Sequence, residues 1–222
     1  MWGLASRSSA WWRSLGDRGA VSFVLRPGST DQLVYEETFE GKYHVPPSWM
    51  PVPSSVLDLG ANIGLVGAHY RELWPEADVV MVEMDLDNSR VAFMNNPGGK
   101  VLHQAVAGRT GRRSYRRFGQ EYAYRLGDAG DGVAVAAESL QSLIDRVFSG
   151  HVDFCKMDVE GTEWELFATA GAWAPMMDYL LVELHGPDPL LKAGELLAPF
   201  FASIELHQPH PQALFCWHEA VA

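Results

Sequence analysis

A chain of 222 residues with 47% hydrophobic content can bury one substantial core, so a single compact domain with a short N-terminal extension is the expected organisation. The formal net charge of -11 argues against nucleic acid or an anionic membrane surface as partner, because both depend on clustered positive charge. No segment has the apolar length of a membrane span, and the Trp-, Ser- and Arg-rich N-terminus lacks a signal-peptide core, so a cytoplasmic protein is expected. Cys155 and Cys216 lie in apolar runs and read as small buried residues of a reducing compartment, not as a disulfide framework or zinc site.

Taken in chain order, Trp2, Trp11 and Trp12 come first; they suit packing onto the parent domain or docking on a partner subunit, which makes a homodimer the assembly to look for. Short alternating runs over 21–25 and 32–36, joined by Arg26-Pro27-Gly28-Ser29, predict an edge hairpin. Pro46, Pro47, Pro51 and Pro53 keep the following linker extended, which closes an extension over 1–53 and opens the main domain over 54–222. From there strands and helices alternate: strand 56–59, helix 63–73, strand 79–83, a helix from about 88, strand 101–107. An inserted basic hairpin is expected over 112–126 and a helix over 138–148. Strand 152–158, helix 162–170, strand 179–185, helix 189–201 and closing strands near 203–207 and 213–218 follow. Such alternation implies an α/β fold with a parallel sheet and helices on both faces. Of the 17 Lys and Arg residues, Arg109, Arg112, Arg113, Arg116, Arg117 and Arg125 fall in or beside that hairpin. They read as a solvated surface or as a rim that attracts an anionic substrate.

In an open parallel sheet the ligand lies beyond the carboxyl ends of the strands, and those positions are polar here. Asp58 and the turn Gly60-Ala61-Asn62-Ile63-Gly64 follow the first strand. Glu83, Met84 and Asp85 follow the second, Gln104 and Ala105 the third, Asp158 and Glu160 the fourth, Glu183 and His185 the fifth. Glycines let the turn approach a ligand closely, and Glu83, 23 residues beyond Gly60, is placed to accept hydrogen bonds from ribose hydroxyls. That pattern fits NAD and S-adenosylmethionine alike. Asp58 favours the second: a carboxylate entering the turn repels a pyrophosphate and attracts a methionine ammonium. The turn also lacks the three-glycine dinucleotide spacing.

Central parallel strands are normally apolar throughout, so Lys156, Asp158, Glu183 and His185 must form a satisfied network or open onto a pocket. Three uses remain open. Lys156 and Glu183 can neutralise each other; His185 or Asp158 can accept a proton from an attacking hydroxyl; Asp158, Glu160 and Glu183 can hold a divalent cation. His207-Gln208-Pro209-His210 has ligand-like spacing but reads better as a polar loop, and no metal is expected there.

Together, Phe39-Glu40-Gly41-Lys42-Tyr43, VLDLGANIG at 56–64, VEMD at 82–85, HQAVAG at 103–108, KMDVEGTEWELF at 156–167 and VELHG at 182–186 resemble the FkbM family of S-adenosylmethionine-dependent methyltransferases. The resemblance implies a class I methyltransferase (Rossmann-like) fold: a seven-stranded, mostly parallel sheet with the last strand antiparallel between the fifth and sixth. It implies O-methylation of a small-molecule hydroxyl on a natural product or sugar. Carried over by position, Asp58, Gly60, Asn62 and Gly64 line the methionine end of the cofactor and Glu83 the ribose, with Ala61 and Asp85 also among the cofactor-binding residues. Met84, Gln104 and Ala105 fall to the adenine, and Asp158 sits beside the transferred methyl. Gln104 departs from the short polar residue of the family pattern. The acceptor is expected to enter beneath the 112–126 hairpin, with Tyr43 closing over the cofactor.

Overall fold

The computed structural model describes residues 12–13, 22–117, 124–127, 132–186 and 188–218. A short ladder pairs β1 (Trp12–Arg13) antiparallel with β2 (Phe23–Val24), and α1 (Asp31–Glu36) runs on into a π-helical turn over Glu37–Gly41. The central alternation begins with β3 (Ser55–Leu59), α2 (Leu65–Leu73), β4 (Asp78–Glu83), α3 (Leu86–Asn95) and β5 (Lys100–His103). β6 (Ala105–Ala107), β7 (Gly111–Arg117), β8 (Tyr124–Gly127) and β9 (Val133–Ser139) come next, followed by α4 (Leu140–Phe148). The chain continues through β10 (Val152–Met157), α5 (Glu163–Phe167), α6 (Ala170–Trp173), β11 (Met177–Glu183), α7 (Pro189–Leu197), β12 (Ser203–Leu206) and β13 (Ala213–Trp217).

Seven strands form one mixed sheet in the order β12-β13-β11-β10-β3-β4-β5. β11, β10, β3, β4 and β5 are parallel, whereas β13 lies between β11 and β12 and is antiparallel to both. Side chains alternate across this sheet. On one face Leu57, Leu59, Val80 and Val82 meet Leu143 and Ile144 of α4, Trp173 of α6 and Leu197 of α7. On the other, Val56, Val79 and Phe154 meet Val66 and Tyr70 of α2. Helices therefore cover both faces, which is why the central strands carry so few polar residues. Cys155 and Cys216 are buried free thiols whose ionisation burial pushes up, leaving them chemically quiet. Among the described residues no helix is long and apolar enough to cross a membrane.

Three local expectations are corrected. Residues 32–36 are helical, not the second arm of a hairpin, and β2 pairs with the earlier β1. Two interactions select the helix. Asp31 accepts from the Arg26 backbone N–H and from its guanidinium at 2.8–2.9 Å, and the Tyr35 and Phe39 rings, four residues apart, pack at a tilt with centroids 4.9 Å apart. The stretch read as one strand over 101–107 divides at Gln104, β5 staying in the main sheet and β6 passing to a second, four-stranded sheet of order β6-β9-β7-β8. That sheet contains the expected basic hairpin and also β9, an Ala-rich strand where only the following helix was foreseen. Trp2 and Trp11, with any dimer contact they make, lie outside the described residues.

The extension is bound to the domain through polar and apolar contacts. Asn95, at the end of α3, accepts from the Val24 N–H at 2.6 Å and donates to the carbonyls of Val24 and Ile63. Phe23 and Phe39 join Ile63, Leu65 and Val91 in one cluster. Nearby, His44 and His69 are both buried and share a ring-to-ring hydrogen bond of 2.8 Å, while the Tyr70 hydroxyl donates to the His44 carbonyl. Burial, with His69 adding to it, holds the His44 pKa down to about 2. The unfolded chain titrates near the ordinary histidine value, so the neutral pair contributes stability above about pH 6.5 and loses it as the pH falls. The stability lead of the wild type over His44→Gln should shrink by roughly 1 kcal/mol per pH unit below about 6. Urea midpoints at pH 7.5, 6 and 5 measure it, and a constant lead would refute it.

Candidate active site

The carboxyl ends of the parallel strands open into one cavity of about 520 Å³. Gly60, Ala61 and Asn62 reach it from the turn after β3, Glu83 and Met84 from the end of β4, and Gln104 and Ala105 from the β5–β6 junction. Asp158 reaches it from the loop after β10 and His185 from beyond β11. Gly60 has φ +75°, and any Cβ there would collide with the backbone carbonyl of Asp158. The absent side chain lets the two loops touch, which joins the first-turn half of the cavity to the Asp158 half.

Glu83 is buried on the wall. One carboxylate oxygen accepts from the Asn62 N–H at 2.8 Å and the other from the Asp85 N–H at 2.7 Å. Burial outweighs these bonds and raises its pKa to about 8. Each oxygen keeps a further lone pair, so the group can still receive a diol. Beside it, Met84, Ala105 and Val106 make an apolar slot, edged by Gln104, whose amide donates to Glu138 at 2.8 Å. A polar bay beside an apolar slot suits a nucleoside, and the Gly60 cradle supplies the close backbone approach.

Three residues expected on the wall stand behind it. Asp58 is fully buried and lies 3.6 Å from the Lys156 ammonium, its nearest charge, so it neutralises that lysine and does not meet a ligand directly. Gly64, also at φ +75°, starts α2 where a Cβ would press on Ala92 and Asn96 of the neighbouring helix, a packing role. Asp85 caps α3 by accepting from the Asp87 and Asn88 N–H groups, and it accepts from the Tyr115 hydroxyl at 3.0 Å.

Lys156 does not pair with Glu183. Its ammonium donates to Asp158 at 3.2 Å and to the Gly60 carbonyl at 3.4 Å, between Asp58 and Asp158. Burial opposes its charge, but the two aspartates more than offset it and lift its pKa well above the ordinary value.

His185 collects carboxylates. Its Nδ1 is 3.0 Å from Oε1 of the wholly buried Glu163, and its Nε2 lies 3.5 Å from Glu160, 3.8 Å from Asp158 and 3.8 Å from Glu183. The Trp164 indole anchors the His185 backbone by donating to its carbonyl at 3.0 Å. Burial alone would lower the imidazole pKa, but the Glu163 bond and the Asp158 charge raise it to about 9. Burial and Asp158 together lift Glu160 to about 7 and Glu183 to about 8. The surrounding acids thus favour the protonated form of the imidazole. Ligand atoms of Asp158, Glu183 and His185 lie within 4.8 Å of one another, a set a divalent cation could also use.

The cavity is closed differently from the expectation. Among the described residues of the basic hairpin none lines it: Arg113 makes a two-pronged ion pair with Glu165 at 2.8 and 2.9 Å, and the Tyr115 side chain is buried. Leu33, Val34, Glu37 and Tyr43 form the near wall, with Pro209 and His210 opposite. Tyr43 thus stands where closure over a ligand was expected. His207 does not converge with His210; its Nε2 is bonded to the Tyr43 carbonyl at 2.7 Å, tying the two walls together. Glu37 carries no sequence signal of its own and reaches the site through tertiary folding.

None of the curated proteins matches the chain. Similar solved structures include an O-methyltransferase family protein from Burkholderia thailandensis, with TM-score 0.51 and 11% identity over 87% of this chain and 59% of that one. Human N-acetylserotonin methyltransferase in complex with SAM has TM-score 0.48 and 12% identity, covering 84% of this chain and 54% of that one. The precorrin-6y C5,15-methyltransferase from Geobacter metallireducens GS-15 has TM-score 0.47 and 13% identity, over 89% and 94%. The chain spans little more than half the length of the first two. The first of these likenesses describes a methyltransferase-like α/β fold. The model of the methyltransferase FkbM domain matches residues 58–212, most of the chain and all five strand ends that line the cavity. By that match the chain belongs to the FkbM methyltransferase family and carries its S-adenosylmethionine-dependent methyltransferase domain.

Proposed function

We propose that the protein is an S-adenosylmethionine-dependent O-methyltransferase acting on a hydroxyl of a small molecule, a natural product or a sugar moiety. The observation that carries this reading is the continuity of one cavity, from the Gly60–Glu83 cradle to the Asp158–His185 end. Glu83 would hold the ribose, Met84, Gln104 and Ala105 the adenine, and the Gly60–Asn62 backbone the start of the amino-acid tail. When bound, S-adenosylmethionine supplies a methyl group on a sulfonium, a good leaving group, so alignment of the acceptor contributes most of the catalysis. An alcohol acceptor also needs somewhere to deliver its proton. Asp158, which lines the cavity beside His185, is placed to take that role. The imidazolium compensates the carboxylates around it. A cytoplasmic enzyme working on a small diffusible acceptor, alone or as a homodimer, fits the acidic surface.

Glu83→Ala should weaken S-adenosylmethionine and S-adenosylhomocysteine by roughly 10-fold or more in calorimetric titration, consistent with loss of the two hydrogen bonds to the ribose. Unchanged affinity would remove the ribose assignment. His185→Ala should lower turnover by at least about 10-fold while leaving cofactor affinity within about threefold. In the wild type, turnover should decline as the pH passes about 9 and His185 loses its proton. A rise through that pH would return proton acceptance to the imidazole. The donor set Asp158, Glu183 and His185 supports a second reading, a divalent cation that orients the acceptor. Turnover abolished by chelator and restored by magnesium would establish that reading; insensitivity to chelator is the outcome expected of the first.

A further inference from the structure

A second set of metal-ligating side chains lies at the amino ends of the strands, away from the cavity. His151 immediately precedes β10, Asp153 is the second residue of β10, and Asp178 is the second residue of β11. Val152 is in register with Met177 and Phe154 with Tyr179, so Asp153 stands opposite Asp178, and the two-residue period turns His151 to the same face. One ligand atom from each of the three lies within 4.8 Å of the others, and the His151 Nε2 is 3.3 Å from Asp178 Oδ2. Asp158 is roughly 16 Å further along the chain of β10, at about 3.3 Å per residue.

Charge and anchoring set this cluster apart from an ordinary acidic surface. Carboxylates facing each other on strands about 4.8 Å apart repel. Among the described residues neither Asp153 nor Asp178 has a Lys or Arg at ion-pair distance; Asp178 meets only His151. Asp153 is half-buried and fixed, because its Oδ2 accepts from the Ser54 N–H and hydroxyl, both at 2.6 Å, and from the Ser55 N–H at 3.3 Å. Burial would raise its pKa, but these bonds outweigh it and hold the carboxyl below its usual range. The group is therefore ionised, with lone pairs to spare.

We propose that His151, Asp153 and Asp178 form a binding site for a zinc-type divalent ion that staples β10 to β11. One imidazole nitrogen with two carboxylate oxygens suits such an ion better than magnesium, which takes oxygen throughout. Ligands about 2.1 Å from a tetrahedral ion are about 3.5 Å from one another, so the set must contract by about 1 Å. Rotation of the exposed His151 and Asp178 side chains supplies that movement. Water completes the shell. The ion provides the positive charge that the two facing carboxylates lack, and through the Ser54 and Ser55 bonds to Asp153 it also ties in the start of β3. Its role is structural and does not depend on the cofactor reading.

Zinc chloride titrated calorimetrically into the tag-free protein tests the site, with His151→Gln, Asp178→Asn and His185→Gln in parallel; the last removes a donor from the cavity set. The wild type and His185→Gln should bind zinc with a micromolar or tighter Kd, and His151→Gln and Asp178→Asn should each weaken it by at least about 10-fold. Magnesium chloride should bind far more weakly. With zinc at a hundred times its Kd the wild-type melting temperature should rise by about 5 °C or more, and the rise should vanish in His151→Gln and Asp178→Asn. Without zinc, Asp178→Asn should melt no lower than the wild type, since it removes a repulsion. Absence of zinc binding by the wild type overturns the proposal, and so does binding that His151→Gln and Asp178→Asn leave unchanged. Binding abolished only by His185→Gln would place the ion in the cavity and overturn this site as well. Magnesium binding as tight as zinc would overturn the assignment of the ion.

Discussion

The buried ion trio of Asp58, Lys156 and Asp158 is the constraint on which the rest of the site depends. Lys156 is in register with Asp58 across the β3–β10 pair, so the charges meet because adjacent central strands are aligned in one way and no other. A one-residue slip would turn Lys156 to the opposite face, into the apolar layer of Leu57 and Val80. Removing one partner of such a pair costs on the order of 3–5 kcal/mol, because the other is left charged and dry. The trio thus ties the register of the sheet to the position of the two loops that carry the cavity. Gly60 completes the arrangement by allowing the Asp158 carbonyl to lie against the turn.

Elements outside the main sheet give the cavity its shape. The N-terminal segment is held by Asn95 hydrogen bonds and by the Phe23–Phe39 cluster, and it presents Leu33, Glu37 and Tyr43 as a wall. His207 bonds to the Tyr43 carbonyl, so the first and last parts of the domain close the same opening. The second sheet is a buttress: the Tyr115 hydroxyl fixes Asp85, which caps α3, and Arg113 holds Glu165 of α5. Its visible chemistry is structural. Among the described residues no arginine lines the cavity, whose wall carries Glu37, Asp158, Glu160 and Glu183.

Much of this was legible in the sequence where a pattern is local. The strand ends of the parallel sheet are marked by polar residues that interrupt apolar runs, and Gly60, Ala61, Asn62, Glu83, Met84, Gln104, Ala105, Asp158 and His185 all reach the cavity. Residues 32–36 were misread because a period of two was weighed over the Tyr35–Phe39 spacing, a helical signal that was present. β9 was missed because Val133-Ala-Val-Ala-Ala alternates only weakly in hydrophobicity and becomes a strand by pairing with β6 and β7, both distant in the chain. Asp58 illustrates a different limit. Its type and position were noticed, but whether a carboxylate faces ligand or lysine is decided by the neighbouring strand.

His185 carries that argument to its end. A histidine at the tip of a central strand reads as a base because its ordinary pKa lies near neutrality. In the fold, four carboxylates gather around the ring: Asp158 and Glu160 from the loop after β10, Glu163 from α5 and Glu183 from β11. Glu163 alone fixes the ring orientation through Nδ1, and the other three reach Nε2 at ion-pair distances. The imidazole becomes the charge that lets these acids share one small volume. Asp158 lies between the two nitrogen bases of the site, Lys156 at 3.2 Å on one side and His185 at 3.8 Å on the other. Burial and charge count decide its state: where acids outnumber bases in a confined space, the cationic form of the histidine is favoured.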